Sequence, residues 1–340
     1  MVETRQWRIP VGNGLSLHVE QIAPDGGGFA GAGLTGVTGG SVGSTDCPVD
    51  SNNGPLVLVH GIAGSAEDWA AVATGLAASR PVVAYDHRGH GASGWACGGR
   101  SEYTFDLLFA DLVAVLAALG PAPVDLLGHS MGGVIALRYA LEHPRRVRSL
   151  ILVDTAAAPA NAPGPIARRL VGSILDKVSD TFAGRQHTDP AEPADADADA
   201  DADSHATAEI EAVRSGPTPQ QRAADGLGKV DPNALASFGR ELGTYPSLVS
   251  RLGEIAVPTT VIVGEHDSSL RASARTMADS IPGARLAVIA GADHSPHASR
   301  PLAWLTAVDD HFARITDSRS ADAQNAVSRH STDASGFYQE

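Results

Sequence analysis

The chain has 340 residues, 43% of them hydrophobic and 19% charged, with a mean hydropathy of −0.04. That composition suits a globular protein with a sizeable core rather than a disordered or membrane-embedded one. The formal charge of −14 excludes a nucleic-acid backbone as a partner, because no basic cluster offsets the repulsion. No apolar run approaches the roughly 20 residues of a membrane span. Residues 1–7 lack the basic-then-apolar order of a secretory signal. Cys47 and Cys97 sit in Gly-rich loop sequence, so a cytoplasmic protein without disulfides is expected.

In chain order, residues 7–10 and 15–22 alternate around Gly12-Asn13-Gly14, which predicts an antiparallel pair. Residues 25–54 are rich in Gly, Ser and Thr without a hydrophobic period, and read as a flexible insertion. Six strands are predicted at 55–60, 81–86, 124–127, 147–154, 259–264 and 285–290. Each is apolar at nearly every position, as in a parallel sheet covered on both faces. Between them, Phe105, Leu108, Leu112, Val115 and Leu116 form one helical stripe, with Thr104 as N-cap and Gly120-Pro121 as stop. Leu302, Leu305, Val308, Phe312 and Ile315 form another after Pro301. Strand–helix alternation of this kind specifies a doubly wound, mostly parallel α/β sheet, built from residues 1–154 and 257–316.

The alternation breaks over 155–256, where short helical stretches at 166–178 and 234–242 read as a mostly helical cap. Within it, 191–206 is an Ala-Asp tract. Asp195, Asp197 and Asp199 have the spacing of a calcium loop, but Ala200 and Ala206 stand where that loop needs Gly and Glu, so a disordered acidic tract is expected. Residues 317–340 are polar and patternless, which predicts a disordered tail.

Gly128-His129-Ser130-Met131-Gly132 lies between the strand at 124–127 and a helical pattern from Gly133. A G-x-S-x-G there is the layout of a nucleophile elbow, a strained turn that exposes the serine and requires small residues two before and two after it. A serine hydroxyl is a weak nucleophile without a base and an orienting carboxylate. Asp267 follows the strand 259–264 and His294 follows the strand 285–290, each at the strand end where open α/β sheets place their sites. His60-Gly61-Ile62 follows the first core strand, so the Ile62 and Met131 amides are the expected oxyanion donors. Asp154 is the competing acid and His297 the competing base. His60, His87, His90 and His129 lack metal-ligand spacing and are expected to be structural. Trp69 is expected to pack the helix beginning near Glu67.

These residues resemble the α/β-hydrolase superfamily, over about residues 7–315 apart from the two insertions. Asp86-His87-Arg88-Gly89-His90-Gly91 looks like that family's turn after the fourth strand, and Gly291-Ala292-Asp293-His294 like its histidine loop, with Asp293 where Gly is usual. The resemblance implies Ser130 as nucleophile, His294 as base, Asp267 as orienter and Ile62 and Met131 as oxyanion hole. It implies no cofactor and no metal, and a serine hydrolase, of the carboxylic ester class, that cleaves an ester-like acyl bond of a small, fairly apolar molecule. The rival readings are an enol-lactonase, a carbon–carbon hydrolase, and a low-turnover small-molecule receptor of the same fold.

Overall fold

A computed structural model of the chain describes residues 2–24, 54–159 and 229–334, with side chains as far as Asp317. The insertion at 25–54 (all but Gly54), most of the cap at 155–256 with its 191–206 tract, the stretch 166–178 and Cys47 lie outside the described residues.

Eight strands form one sheet in the order β1-β2-β4-β3-β5-β6-β7-β8. They are β1 (Val2–Gly12), β2 (Leu15–Pro24), β3 (Leu56–Val59), β4 (Val82–Tyr85), β5 (Val124–His129), β6 (Val147–Val153), β7 (Thr259–Gly264) and β8 (Arg285–Ile289). β2 runs antiparallel to β1 and β4, and all other neighbours are parallel. The β1–β2 hairpin is longer than its short alternating stretches predict. Its turn is made by Gly12, Asn13 and Gly14, all at positive φ.

Strand pleating divides the apolar runs between two cores. Val57, Val59, Leu126, Leu150, Leu152 and Val261 face one side. Leu56, Leu58, Leu127, Ile151, Val153 and Ile262 face the other. The first side is covered by α2 (Phe105–Ala118), through Leu108, Leu112 and Leu116, and by α3 (Met131–Glu142). The second is covered by α1 (Ala70–Leu76), by Trp69 and by Trp304 and Val308. Each such side chain contributes about 1.5–3 kcal/mol when fully withdrawn from water. Thr104 caps α2 by accepting the Leu107 N–H at 3.2 Å, and Gly120 follows its end at a φ of 96°.

Two expectations are corrected. The strand 285–290 is expected to be buried on both faces, yet of β8 only Ile289 is buried, because β8 is the sheet's last strand, with no neighbouring strand at its outer edge and with Leu286 and Val288 exposed. The tail, expected to be disordered from 317, continues as helix. After α4 (Pro232–Glu241), α5 (Arg271–Ser280) and α6 (Pro296–Ser299), α7 runs from Pro301 to Ala334. Its first turns are anchored by Trp304 and Val308. No Gly or Pro interrupts residues 302–334, so each added residue extends an existing helix cheaply despite its polarity. No helix among the described residues is long and apolar enough to cross a membrane.

The order of the strands locates a crevice. From β3 the chain winds outward through β4, then returns to the other side of β3 with β5 and winds the opposite way. The loops after β3 and β5 therefore diverge at the sheet's C-terminal edge, where α/β sheets leave room for a ligand.

Candidate functional site

Ser130 follows β5 directly and starts α3, at φ 52° and ψ −120°. A residue with a Cβ occupies this region only when its surroundings over-determine it. Here they do. The Ser130 N–H donates to Val153 O at 2.9 Å, and its carbonyl accepts from Gly133, Val134 and the Thr155 hydroxyl. The small residues are needed for close packing. A Cβ on Gly128 would stand 2.7 Å from Gly133 Cα and 2.8 Å from Ala136 Cβ, and one on Gly132 would run into the Val59 and His60 carbonyls.

His294 Nε2 lies 3.0 Å from Ser130 Oγ, and its Nδ1 lies 2.6 Å from Asp267 Oδ2. Because the carboxylate only accepts, Nδ1 carries the proton and Nε2 is left to accept the serine O–H. Asp267 is itself fixed by Ser269, whose hydroxyl donates to Oδ1 at 2.6 Å, and by the Leu270 N–H. Burial pushes the Asp267 carboxyl up. Hydrogen bonding and charge from His294, with further hydrogen bonds from Ser269 and Asp154, more than offset that and hold it below the ordinary carboxylate range. The structure thus brings Ser130, His294 and Asp267 into one hydrogen-bonded line.

The histidine loop is held from below. His129 Nε2 donates to the His294 carbonyl at 2.7 Å, and Ala292 O accepts the His266 N–H at 2.8 Å. A Cβ on Gly264 would stand 2.8 Å from Ala292 O, so β7 packs tightly under the loop. Asp293, placed where the resembling loops have Gly, uses Oδ1 to accept from the Ser295 N–H just before α6 and from Ser299 Oγ at its end.

The turn after β3 lies against the elbow. A Cβ on Gly61 would stand 3.0 Å from both Ser130 Cβ and His129 Nδ1. Among the described residues, neither the Ile62 nor the Met131 amide donates to a protein acceptor. Asp86 ties this turn down by accepting from Ala66 N at 2.7 Å and Ala92 N at 2.8 Å, and it also contacts His18 Nδ1. Arg88 is forked onto Asp111 at 2.7 and 2.6 Å.

The competitors sit elsewhere. His297 is buried on the Trp69 ring, 4.6 Å between centroids, and burial lowers its pKa to about 3. Trp69 is buried in a 3-10 turn (Ala66–Trp69) just before α1. His60, His87 and His90 form a buried ring cluster. His60 donates from Nδ1 to Gly61 O at 2.7 Å and accepts the His87 N–H on Nε2, so it is neutral and its tautomer is fixed. Asp154 accepts the Gly264 N–H at 2.9 Å instead of meeting the His294 ring.

Among the described residues, metal-ligand atoms converge only at Asp154, Asp267 and His294, within 4.8 Å of one another. His294 Nδ1 is already committed to Asp267 there. Ser269 and Thr155, which help hold the line in place, carry no motif in the sequence, and the His129 ring sits at a position that the elbow motif leaves open. Position near a strand end was their one available signal.

Residues 54–301 match the family model described as alpha/beta hydrolase fold. A Bacillus subtilis protein, provisionally assigned as 2-succinyl-6-hydroxy-2,4-cyclohexadiene-1-carboxylate synthase, is 28% identical over 271 residues, 76% of this chain and 90% of its own length. An Azorhizobium caulinodans protein, provisionally assigned as a carbamate hydrolase, is 30% identical over 252 residues, 73% of this chain and 86% of its own. The crystal structure of an enol-lactonase from Burkholderia xenovorans LB400 aligns with a TM-score of 0.60 at 22% identity, covering 91% of this chain and 100% of that one, a likeness of fold alone.

Proposed function

The chain belongs to the alpha/beta hydrolase fold family, and from that premise we propose that it is a serine hydrolase cleaving an ester-like acyl bond of a small, fairly apolar molecule. The observation that carries the reading is the hydrogen-bonded line from Ser130 Oγ through His294 to Asp267, set on a strained elbow.

Ser130 Oγ attacks the acyl carbonyl as its proton passes to His294 Nε2. Asp267, held low in pKa, keeps the imidazole oriented and stabilises the imidazolium. The carbonyl oxygen becomes an oxyanion facing the Ile62 and Met131 amides; each such donor is worth on the order of 3 kcal/mol in the transition state. His294 then passes its proton to the leaving group, which departs and leaves an acyl-Ser130 ester. A water molecule, deprotonated by His294, attacks that ester and releases the acid, and the serine recovers its proton. No step calls for a cofactor.

Carbamates and lactones present the same electrophilic carbonyl, so they belong beside simple esters in the test. The full chain and Ser130→Ala are incubated with a fluorophosphonate and with panels of aryl esters, aryl carbamates and lactones. Labelling at Ser130 and turnover that the variant lacks support the proposal. A wild type that is neither labelled nor faster than the variant overturns it and leaves a binding protein of the same fold.

A further inference from the structure

Asp154 is a buried carboxyl without a role in the chemistry above. It directly follows β6, wholly removed from solvent, at a φ of 40° that a residue with a Cβ rarely adopts. One oxygen, Oδ1, accepts the Gly264 N–H at 2.9 Å. The other, Oδ2, is buried with no partner if both carboxyls are written as ionised. The groups around it are the Gly264 amide of β7, Asp267 in the turn after β7, and Asp293 and His294 in the loop after β8. Among the described residues, no arginine or lysine is one of them. Two adjacent carboxylates in such a place repel, and the cheapest relief is to retain one proton between them.

We propose that Asp154 and Asp267 form a one-proton carboxyl pair, in which neutral Asp154 donates its O–H to Asp267 and so positions the carboxylate that orients His294. The assignment satisfies every polar atom of the pair. Gly264 N–H donates to Asp154, Asp154 O–H donates to Asp267, and Ser269 and His294 donate to Asp267 as well. It also fixes which member holds the proton. Asp267 has donors that favour its anion, whereas burial and the neighbouring charges of Asp267 and Asp293 raise Asp154 to about 9. Asp154 is therefore a positioning residue acting through Asp267, and the idea rests on the hydrolase reading only for its kinetic consequence.

The test compares the full chain with Asp154→Asn, Asp154→Leu and Ser130→Ala. Infrared difference spectra between wild type and Asp154→Asn read the pair directly. A protonated-carboxyl stretch should be present in the wild type at pH 7, absent from the variant, and titrate away near pH 9. Second-order rates of fluorophosphonate labelling from pH 6 to 10 read the function. In the wild type the rate should fall above about pH 9 as the second carboxylate forms. In Asp154→Asn, whose amide preserves both hydrogen bonds, that alkaline fall should vanish with the neutral-pH rate kept near wild type. Asp154→Leu should slow labelling up to about 100-fold, the cost of a misplaced group. Absence of the carboxyl band overturns the pair. So does an Asp154→Asn variant that is as slow as Asp154→Leu or keeps the alkaline fall. A wild type that is not labelled at all defeats the hydrolase reading instead, and the infrared band still decides the pair.

Discussion

The strands β5 and β6 carry buried carboxyls at both ends, and the two ends treat them differently. At the N-terminal end, Asp125 is held by Arg80 at 2.9 Å, by Arg148 through Nε at 2.9 Å and through Nη2, and by the Ser149 hydroxyl at 2.6 Å. Arg80 is in turn stacked on Phe312, 3.3 Å from the ring centroid. At the C-terminal end, the groups around Asp154 and Asp267 among the described residues are backbone amides, Ser269, His294 and the Asp293 carboxyl. Cations at one end turn buried charge into a rigid clamp. At the other end no cation stands beside the pair among the described residues, which leaves groups that must share or exchange protons.

The largest expected effect comes from breaking the second end. Ser130→Ala and His294→Ala should each lower turnover of a responsive aryl ester by about 10⁴-fold or more, with melting temperatures within a few degrees of wild type. A large loss of stability in either variant would assign the line a structural role. Breaking the first end should do the reverse. Asp125→Ala removes the carboxylate that Arg80 and Arg148 share and should cost about 3–5 kcal/mol in denaturant unfolding, while the folded fraction keeps its specific activity. A cost near zero would mean that water reaches the clamp.

Acid sharpens the contrast. Burial lowers the pKa of His60 and His311 to about 4, of His90 and His297 to about 3, and pushes His87 and His129 well down. The unfolded chain binds protons at these residues from about pH 6.5 downward, whereas the native chain does not until its lower values are reached. The stability of the neutral rings is therefore present above pH 6.5 and is lost as pH falls towards 4. Each histidine contributes on the order of 1 kcal/mol per pH unit in that window. The melting temperature should drop markedly between pH 7.5 and 5.0, and an unchanged or higher value at pH 5.0 would show that these rings are reached by water. The smallest effect belongs to the surface. Lys229, paired with Glu67 at 2.7 Å in the open, should cost no more than about 0.5 kcal/mol on Lys229→Ala, a baseline against which Asp125 is judged.

Much of this was legible in the chain because it is written in local pattern. The Val- and Leu-rich runs mark the strands, and the glycines around Ser130 mark the elbow. Asp267 and His294 are found by counting strand ends. Support from distant segments leaves no such trace. Nothing near Thr155 announces that its hydroxyl meets the Ser130 carbonyl, and nothing near Asp154 announces that β7 and β8 will bring Asp267 and Asp293 beside it. The helical course of α7 beyond residue 316 leaves no pattern for a different reason: polar sequence does not mark a helix, yet an anchored helix needs only the absence of breakers to continue.

The left-handed backbone at Ser130 has one more consequence. Glycine would relax φ 52° and ψ −120° where serine cannot, a relief on the order of 1 kcal/mol. The inert chain is therefore the sturdier one, and a single codon change at the elbow trades chemistry for robustness. Left to drift without demand for turnover, this fold would lose the proposed nucleophile before its shape.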